Sequence, residues 1–218
     1  MILPIRRHYR LTGLLCLITG LALMVPFISH NVTFRWEQYR LRQAWQKMQA
    51  NGASTPVPQA SSTSLTEQTT TASVTAHPVK PKRPALISYP APILGKLDIP
   101  RMGLDDIILE GTSLAVLRYG PGHLQGSPYP GQAGNSVIVA HDDLAFHTLG
   151  RLETGDLLYV TTTKGKTLTF KVENSKIIGP QDVIALNTSV PTLTLSTCYP
   201  FNAYKDTPYR YIVTARLI

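Results

Sequence analysis

From Pro92 to the C-terminus the chain breaks into short apolar runs at residues 93–99, 107–110, 135–140, 157–163, 167–172, 176–178, 192–197 and 210–217. Gly-Pro, Pro-Gly and Lys-Gly-Lys steps punctuate them. Runs of this length, rich in Val, Ile, Thr and Leu and bounded by turn residues, read as strands. A single helix is expected, over residues 113–119. Eight strands within residues 91–218 leave exposed sheet edges unless the sheet closes on itself. The expected fold class is therefore mainly β, a closed eight-stranded β-barrel with short helices.

The formal net charge of +8 invites a phosphate-binding reading, which its distribution excludes. Residues 1–90 hold ten Lys/Arg against two Asp/Glu, whereas residues 91–218 hold eleven of each. The predicted barrel is neutral, so no nucleic-acid partner is expected. The basic N-terminal third fits an anionic membrane surface instead.

Leu11 to Ile28 is an uncharged, Leu-rich run of eighteen residues preceded by Arg6, Arg7 and Arg10. At about 1.5 Å per residue it nearly crosses a hydrocarbon core of about 30 Å. A cleaved signal peptide has the same basic start and apolar middle. The run is long for that, and Phe34-Arg35-Trp36-Glu37-Gln38-Tyr39 offers no small-x-small cleavage site, so an uncleaved anchor is favoured. Arg35, Arg40, Arg42 and Lys47 on the far flank leave orientation open by charge alone.

The expected organisation is a basic N-terminus over 1–10, a transmembrane helix over 11–29, a juxtamembrane helix over 30–50, a linker over 51–90 and a domain over 91–218. Trp36, Tyr39, Arg40 and Gln43 lie at helical spacing with the rings near the membrane end. That helix reads as a plain extension of the anchor with no role of its own. The Ser-, Thr- and Pro-rich linker buries too little apolar surface to offset its ordering entropy and is expected to be disordered. Cys16, inside the apolar run, reads as a small hydrophobe.

Chemistry concentrates at Thr194-Leu195-Ser196-Thr197-Cys198 and at Arg210, twelve positions on. Cys198 closes one predicted strand and Arg210 opens the next, so a hairpin-like return brings thiol and guanidinium to neighbouring strand ends. An adjacent cation favours the nucleophilic thiolate. Upstream, Asn135 to Ala140 reads as a strand that delivers His141 into a polar loop. A Cys, a His and an Arg at strand ends form the pattern of a cysteine acyl-transfer site. Thr197 is a candidate for shaping that site, and Tyr199, Phe201, Tyr204 and Tyr209 for walling it or packing its loop. His123, His141 and His147 are spaced eighteen and six residues apart across separate loops, which is a poor metal pattern; no metal or cofactor is expected.

The domain resembles the sortases, membrane-anchored cysteine transpeptidases. The resemblance rests on Thr194–Cys198 as Thr-Leu-Xaa-Thr-Cys, His141 upstream and Arg210 on the last strand. Gly120-Pro121-Gly122-His123, Pro130-Gly131-Gln132-Ala133-Gly134-Asn135 and Cys198-Tyr199-Pro200-Phe201 extend it. It is closest to single-chain classes C to E, and in wording to their proteobacterial members. Ala140 and Asp142 depart from the Gly and Arg that flank the histidine in many relatives, while Asp143 and Phe146 fit. Asp142 sets a carboxylate next to His141 in the sequence. Residues 77–95 hold no Asp-Pro-aromatic lid, and no acidic cluster suggests a calcium site.

The resemblance implies catalytic roles for Cys198, His141 and Arg210, with cleavage after Thr of a Leu-Pro-Xaa-Thr-Gly-like sorting signal and acyl transfer to an amine. The implied partners are a sorting-signal-bearing protein and an amine acceptor. The implied location is the bacterial cytoplasmic membrane, single-pass, with the catalytic domain outside. A cysteine endopeptidase passing the thioester to water is the competing enzyme, and a tethered non-catalytic envelope scaffold the competing binding protein.

Overall fold

The computed structural model describes residues 19, 20, 32–50, 90–201 and 207–218. The basic N-terminus, the apolar run with Cys16 (apart from the helical Thr19 and Gly20), the spacer over 51–89 and Tyr204 lie outside the described residues. Among the described residues, no helix is long and apolar enough to cross a membrane.

Helix α1 spans residues 32–50. The remaining elements are β1 (Ile93–Ile99), β2 (Leu104–Glu110), α2 (Leu114–Leu117), β3 (Gly122–His123), β4 (Asn135–Val139), β5 (Leu157–Thr162), β6 (Thr167–Ile178), β7 (Thr192–Cys198) and β8 (Arg210–Leu217), with short 3-10 turns at Pro100–Met102 and Leu149–Arg151. The strands close into a barrel in the order β1-β2-β3-β4-β7-β8-β6-β5. Most neighbours are antiparallel, but β2–β3 and β4–β7 pair in parallel.

Closure explains the burial. β7 is buried along Thr192–Thr197, with only Cys198 half-exposed at its end. The barrel interior is filled by Leu97, Ile99, Ile108, Ile138, Leu158, Val160, Phe170, Leu193, Leu195 and Val213. Eight strands were expected and the described residues form eight, with two expected runs joined and one strand added. The two runs at 167–172 and 176–178 are one strand, β6, whose register shifts between Val172 and Asn174 where it pairs with β8. The extra strand is β3, two residues long, held by β2 on one side and β4 on the other.

Contrary to the expectation of a plain extension, α1 is docked on the barrel. Gln38 and Leu41 are buried, as is Trp45. The Gln38 amide donates through Nε2 to the Tyr119 carbonyl at 2.6 Å, and its Oε1 accepts from the Ile107 N–H at 2.9 Å. Leu41 and Trp45 form a second core with Ile107, Leu109 and Val116. Arg42 pairs with Asp106 at 3.3 Å, and Gln49 donates to the Thr163 carbonyl at 3.2 Å. Burial of large side chains such as Leu41 and Trp45 stabilises by about 1.5–3 kcal/mol each. Gly120 makes room for this contact, because a Cβ there would overlap the Gln38 amide.

Candidate active site

β7 lies between β4 and β8 in the barrel, and this order assembles the site. In the antiparallel β7–β8 ladder Cys198 is the register partner of Arg210. In the parallel β4–β7 ladder Val139 pairs with Ser196. Two residues further along both strands come His141 and Cys198, so the imidazole-bearing residue leaves β4 level with the thiol. Cys198 therefore has the His141 strand on one side and Arg210 on the other.

Local hydrogen bonds hold this end of the barrel. The Ala140 N–H donates to the Ser196 carbonyl at 3.2 Å. The Thr197 hydroxyl, fully buried, donates to the Ala140 carbonyl at 2.7 Å. The loop after His141 closes through the Phe146 N–H to the His141 carbonyl at 3.0 Å. Phe146 is buried in the barrel core, which explains an aromatic at that position. Arg210 donates from Nη1 to the carbonyls of Thr207 at 2.5 Å and Tyr209 at 2.8 Å. The Thr207 hydroxyl in turn donates to the Tyr199 carbonyl at 2.6 Å, fastening the chain that returns from Cys198 to Arg210.

Cys198, the one cysteine among the described residues, is half-buried and forms no disulfide. Tyr199 and Phe201 meet edge to face at 5.8 Å, and both contact Tyr211, with ring centroids at 6.3 and 5.3 Å. Phe201 also reaches Gly150, where a Cβ would come within 2.9 Å of its ring. This aromatic wall ties the segment after the cysteine to the segment after the histidine. Tyr211 and Gly150 escaped the sequence reading; the position of Tyr211, one residue past Arg210, was the available signal. Tyr209 stands half outside, with its ring near Gly179.

The two other histidines among the described residues are engaged elsewhere. His123, fully buried on β3, sets Nδ1 3.2 Å from Glu110 Oε2 and Nε2 3.0 Å from Ser127 Oγ and 3.1 Å from the Pro128 carbonyl. Ser127 Oγ also accepts from the Val137 N–H at 3.2 Å, so the network fixes β4 on its way to His141. His147 donates from Nδ1 to the Leu144 carbonyl at 2.7 Å. Asn135 accepts from the Thr194 hydroxyl at 2.9 Å and donates to the Ala185 carbonyl at 2.9 Å, joining the start of β4 to β7. Gly134 precedes it at φ +108, with Pro128 and the Leu186 carbonyl where a Cβ would stand.

The chain is 35% identical over 126 residues to Sortase D of Bacillus subtilis (strain 168), an alignment covering 57% of this chain and 63% of that protein. Its structure is similar to Sortase A from Corynebacterium diphtheriae, with TM-score 0.54 and 30% identity over 59% of this chain and 61% of that one. It is also similar to a Clostridium perfringens Sortase D5 transpeptidase, with TM-score 0.52 and 29% identity over 58% of this chain and 79% of that one. The chain thus spans less than two thirds of the Bacillus and Corynebacterium relatives. The family description "Sortase domain" matches residues 97–218, from β1 through Arg210 to the C-terminus. With Cys198, His141 and Arg210 at adjoining strand ends of a closed barrel, the chain belongs to the sortase family.

Proposed function

We propose that the protein is a membrane-anchored cysteine transpeptidase that cleaves a Leu-Pro-Xaa-Thr-Gly-like signal after Thr and passes the acyl chain to an amine. The observation that carries this reading is the strand register: Cys198 opposite Arg210, and level with the residue His141 that follows β4.

The Cys198 thiolate attacks the Thr carbonyl carbon, forming the C–S bond and a tetrahedral oxyanion. Arg210, at the end of the adjoining strand, supplies fixed positive character for that oxyanion without a change of protonation. Collapse breaks the C–N bond, and the leaving amine takes a proton from the His141 imidazolium. The acceptor amine then attacks the thioester, its proton passes to His141, and the C–S bond breaks to regenerate the thiolate. The Leu11–Ile28 run would hold the enzyme at the bacterial cytoplasmic membrane with the barrel outside, on the side where envelope substrates and acceptors lie.

The test uses the full chain in detergent with a Leu-Pro-Xaa-Thr-Gly peptide library, with and without added amine. Mass spectrometry is expected to detect an acyl adduct on Cys198 that the amine converts into a conjugate. Cleavage that never yields a conjugate would establish the endopeptidase instead. A folded protein with an alkylatable Cys198 and no adduct would overturn the reading.

A further inference from the structure

α1 has two unlike faces. Gln38, Leu41 and Trp45 point into the barrel contact, whereas Val32, Trp36 and Tyr39 on the opposite side are 58%, 60% and 54% exposed. The Trp36 and Tyr39 rings stack at 5.9 Å and 26°, and Gln43, one turn on, donates to the Tyr39 hydroxyl at 3.1 Å. The stack thus stands outward as an ordered unit. Arg35, Arg40 and Lys47 border the strip, and α1 carries four basic residues against the single acidic Glu37.

We propose that this outward face of α1 lies in the headgroup region of an anionic bilayer and so fixes how the catalytic barrel sits on the membrane. This rests on the anchor reading above. Three residues separate Ile28, the end of the apolar run, from the first residue of α1. Even fully extended they span roughly 10–14 Å, so the start of the helix stays within reach of the interface. Trp and Tyr, apolar in body and polar at the tip, favour that depth, and the bordering cations match anionic headgroups. A protein partner fits less well. One strip of three exposed side chains falls well short of the ~800 Å² per partner of a stable complex.

The first turn of α1 transmits this placement. Phe34 and Arg35, in the first turn of α1, line a cleft of about 400 Å³ together with Asp143, Leu144, Ala145 and His147 of the loop after His141. A helix held flat on the bilayer would therefore set the histidine loop beside the membrane surface, where a substrate itself held in the membrane presents its signal.

The test reads Trp36 directly. The chain has two tryptophans, Trp36 on the outer face and buried Trp45, and the full chain is reconstituted in vesicles of phosphatidylcholine and phosphatidylglycerol at 3:1. Lipids brominated near the headgroup end of the acyl chain are expected to quench Trp36 at least twofold. The contribution of Trp36 is the difference between the wild-type chain and Trp36→Phe, which avoids disturbing the Trp45 core. Flotation in alkaline carbonate reports the anchor separately. Co-flotation without Trp36 quenching overturns the docked face while leaving the anchor intact. Failure to float overturns both. Shielding of Trp36 that grows with protein concentration in detergent, without quenching in vesicles, assigns the face to a second copy and overturns the lipid proposal.

Discussion

The Thr197 hydroxyl donates to the Ala140 carbonyl across 2.7 Å, joining the residue before Cys198 to the residue before His141. Both residues are buried, so no water replaces the bond when it is lost. Thr197→Val keeps the shape and removes the donor, leaving a buried carbonyl unpaired at a cost of about 1–3 kcal/mol. The expected outcome is a lower melting temperature and a kcat reduced about tenfold or more, because the Cys198–His141 separation is no longer fixed. Thr197→Ser restores the hydroxyl and should recover most of the turnover. Equal kcat in Thr197→Val and wild type would show that this bond serves stability alone.

Arg210 holds the carbonyls of Thr207 and Tyr209 as well as facing Cys198 in register. Arg210→Ala removes the carbonyl contacts together with the proposed oxyanion donor, and loss of one such donor typically costs about 100- to 1,000-fold in kcat. Turnover is expected to fall far more than substrate binding, in steady-state and single-turnover measurements. Arg210→Lys keeps the charge without the planar fork, so it should recover only part of the rate. An effect confined to KM would instead make Arg210 a substrate-gripping residue.

The juxtaposition of Cys198, Arg210 and the end of β4 was legible because each of these residues sits within a local motif at a strand end. Strands bounded by Pro or by turn residues, such as Ile93–Ile99 and Arg210–Leu217, also declared themselves. β6 looked like two strands because Glu173, Asn174 and Ser175 interrupt its apolar pattern at the register shift, where the strand leaves the barrel core. β3 had no signal at all: Gly122 and His123 are too few to show a period, and they are extended only because β2 and β4 hold them. The helix over 32–50 was expected, but its docking was hidden for a different reason. Its contact residues Gln38, Leu41 and Trp45 mix a polar anchor with apolar ones, and the partners Ile107 and Tyr119 lie far away in sequence. The residues that do stand out in α1, Trp36 and Tyr39, belong to the opposite face.

Gln38 satisfies two barrel groups at once, so its removal should release α1 as a unit. Gln38→Ala strands the Ile107 N–H and the Tyr119 carbonyl, each a loss of about 1–3 kcal/mol where water cannot reach. Gly120→Ala attacks the same contact from the barrel side, since its Cβ takes the place of the Gln38 amide. Both variants are expected to raise hydrogen exchange and protease cleavage across residues 32–50 while the strands of the barrel stay protected. Unchanged protection of α1 in both would mean that Leu41 and Trp45 hold the helix without the polar anchor.

Asp106 lies beneath the same helix, and burial raises its carboxyl pKa to about 6 despite the opposing pull of Arg42. Asp105 adds to the rise and Arg35 counters it. A carboxyl whose folded pKa exceeds its unfolded pKa contributes stability below the unfolded value, and that contribution is lost as pH rises through the folded one. Between about pH 4 and pH 7 this group therefore withdraws on the order of 3 kcal/mol, since a tenfold change in proton affinity is worth about 1.4 kcal/mol. Asp106→Asn stays neutral throughout, so its melting temperature should exceed that of the wild type by a margin that widens as pH climbs from about 4.5 to about 8. The pull of Arg42 is already contained in that folded value, so its loss leaves the direction of the margin unchanged. A margin that shrinks with rising pH would show instead that the ionised Arg42–Asp106 pair outweighs the burial of Asp106 and stabilises the docked helix.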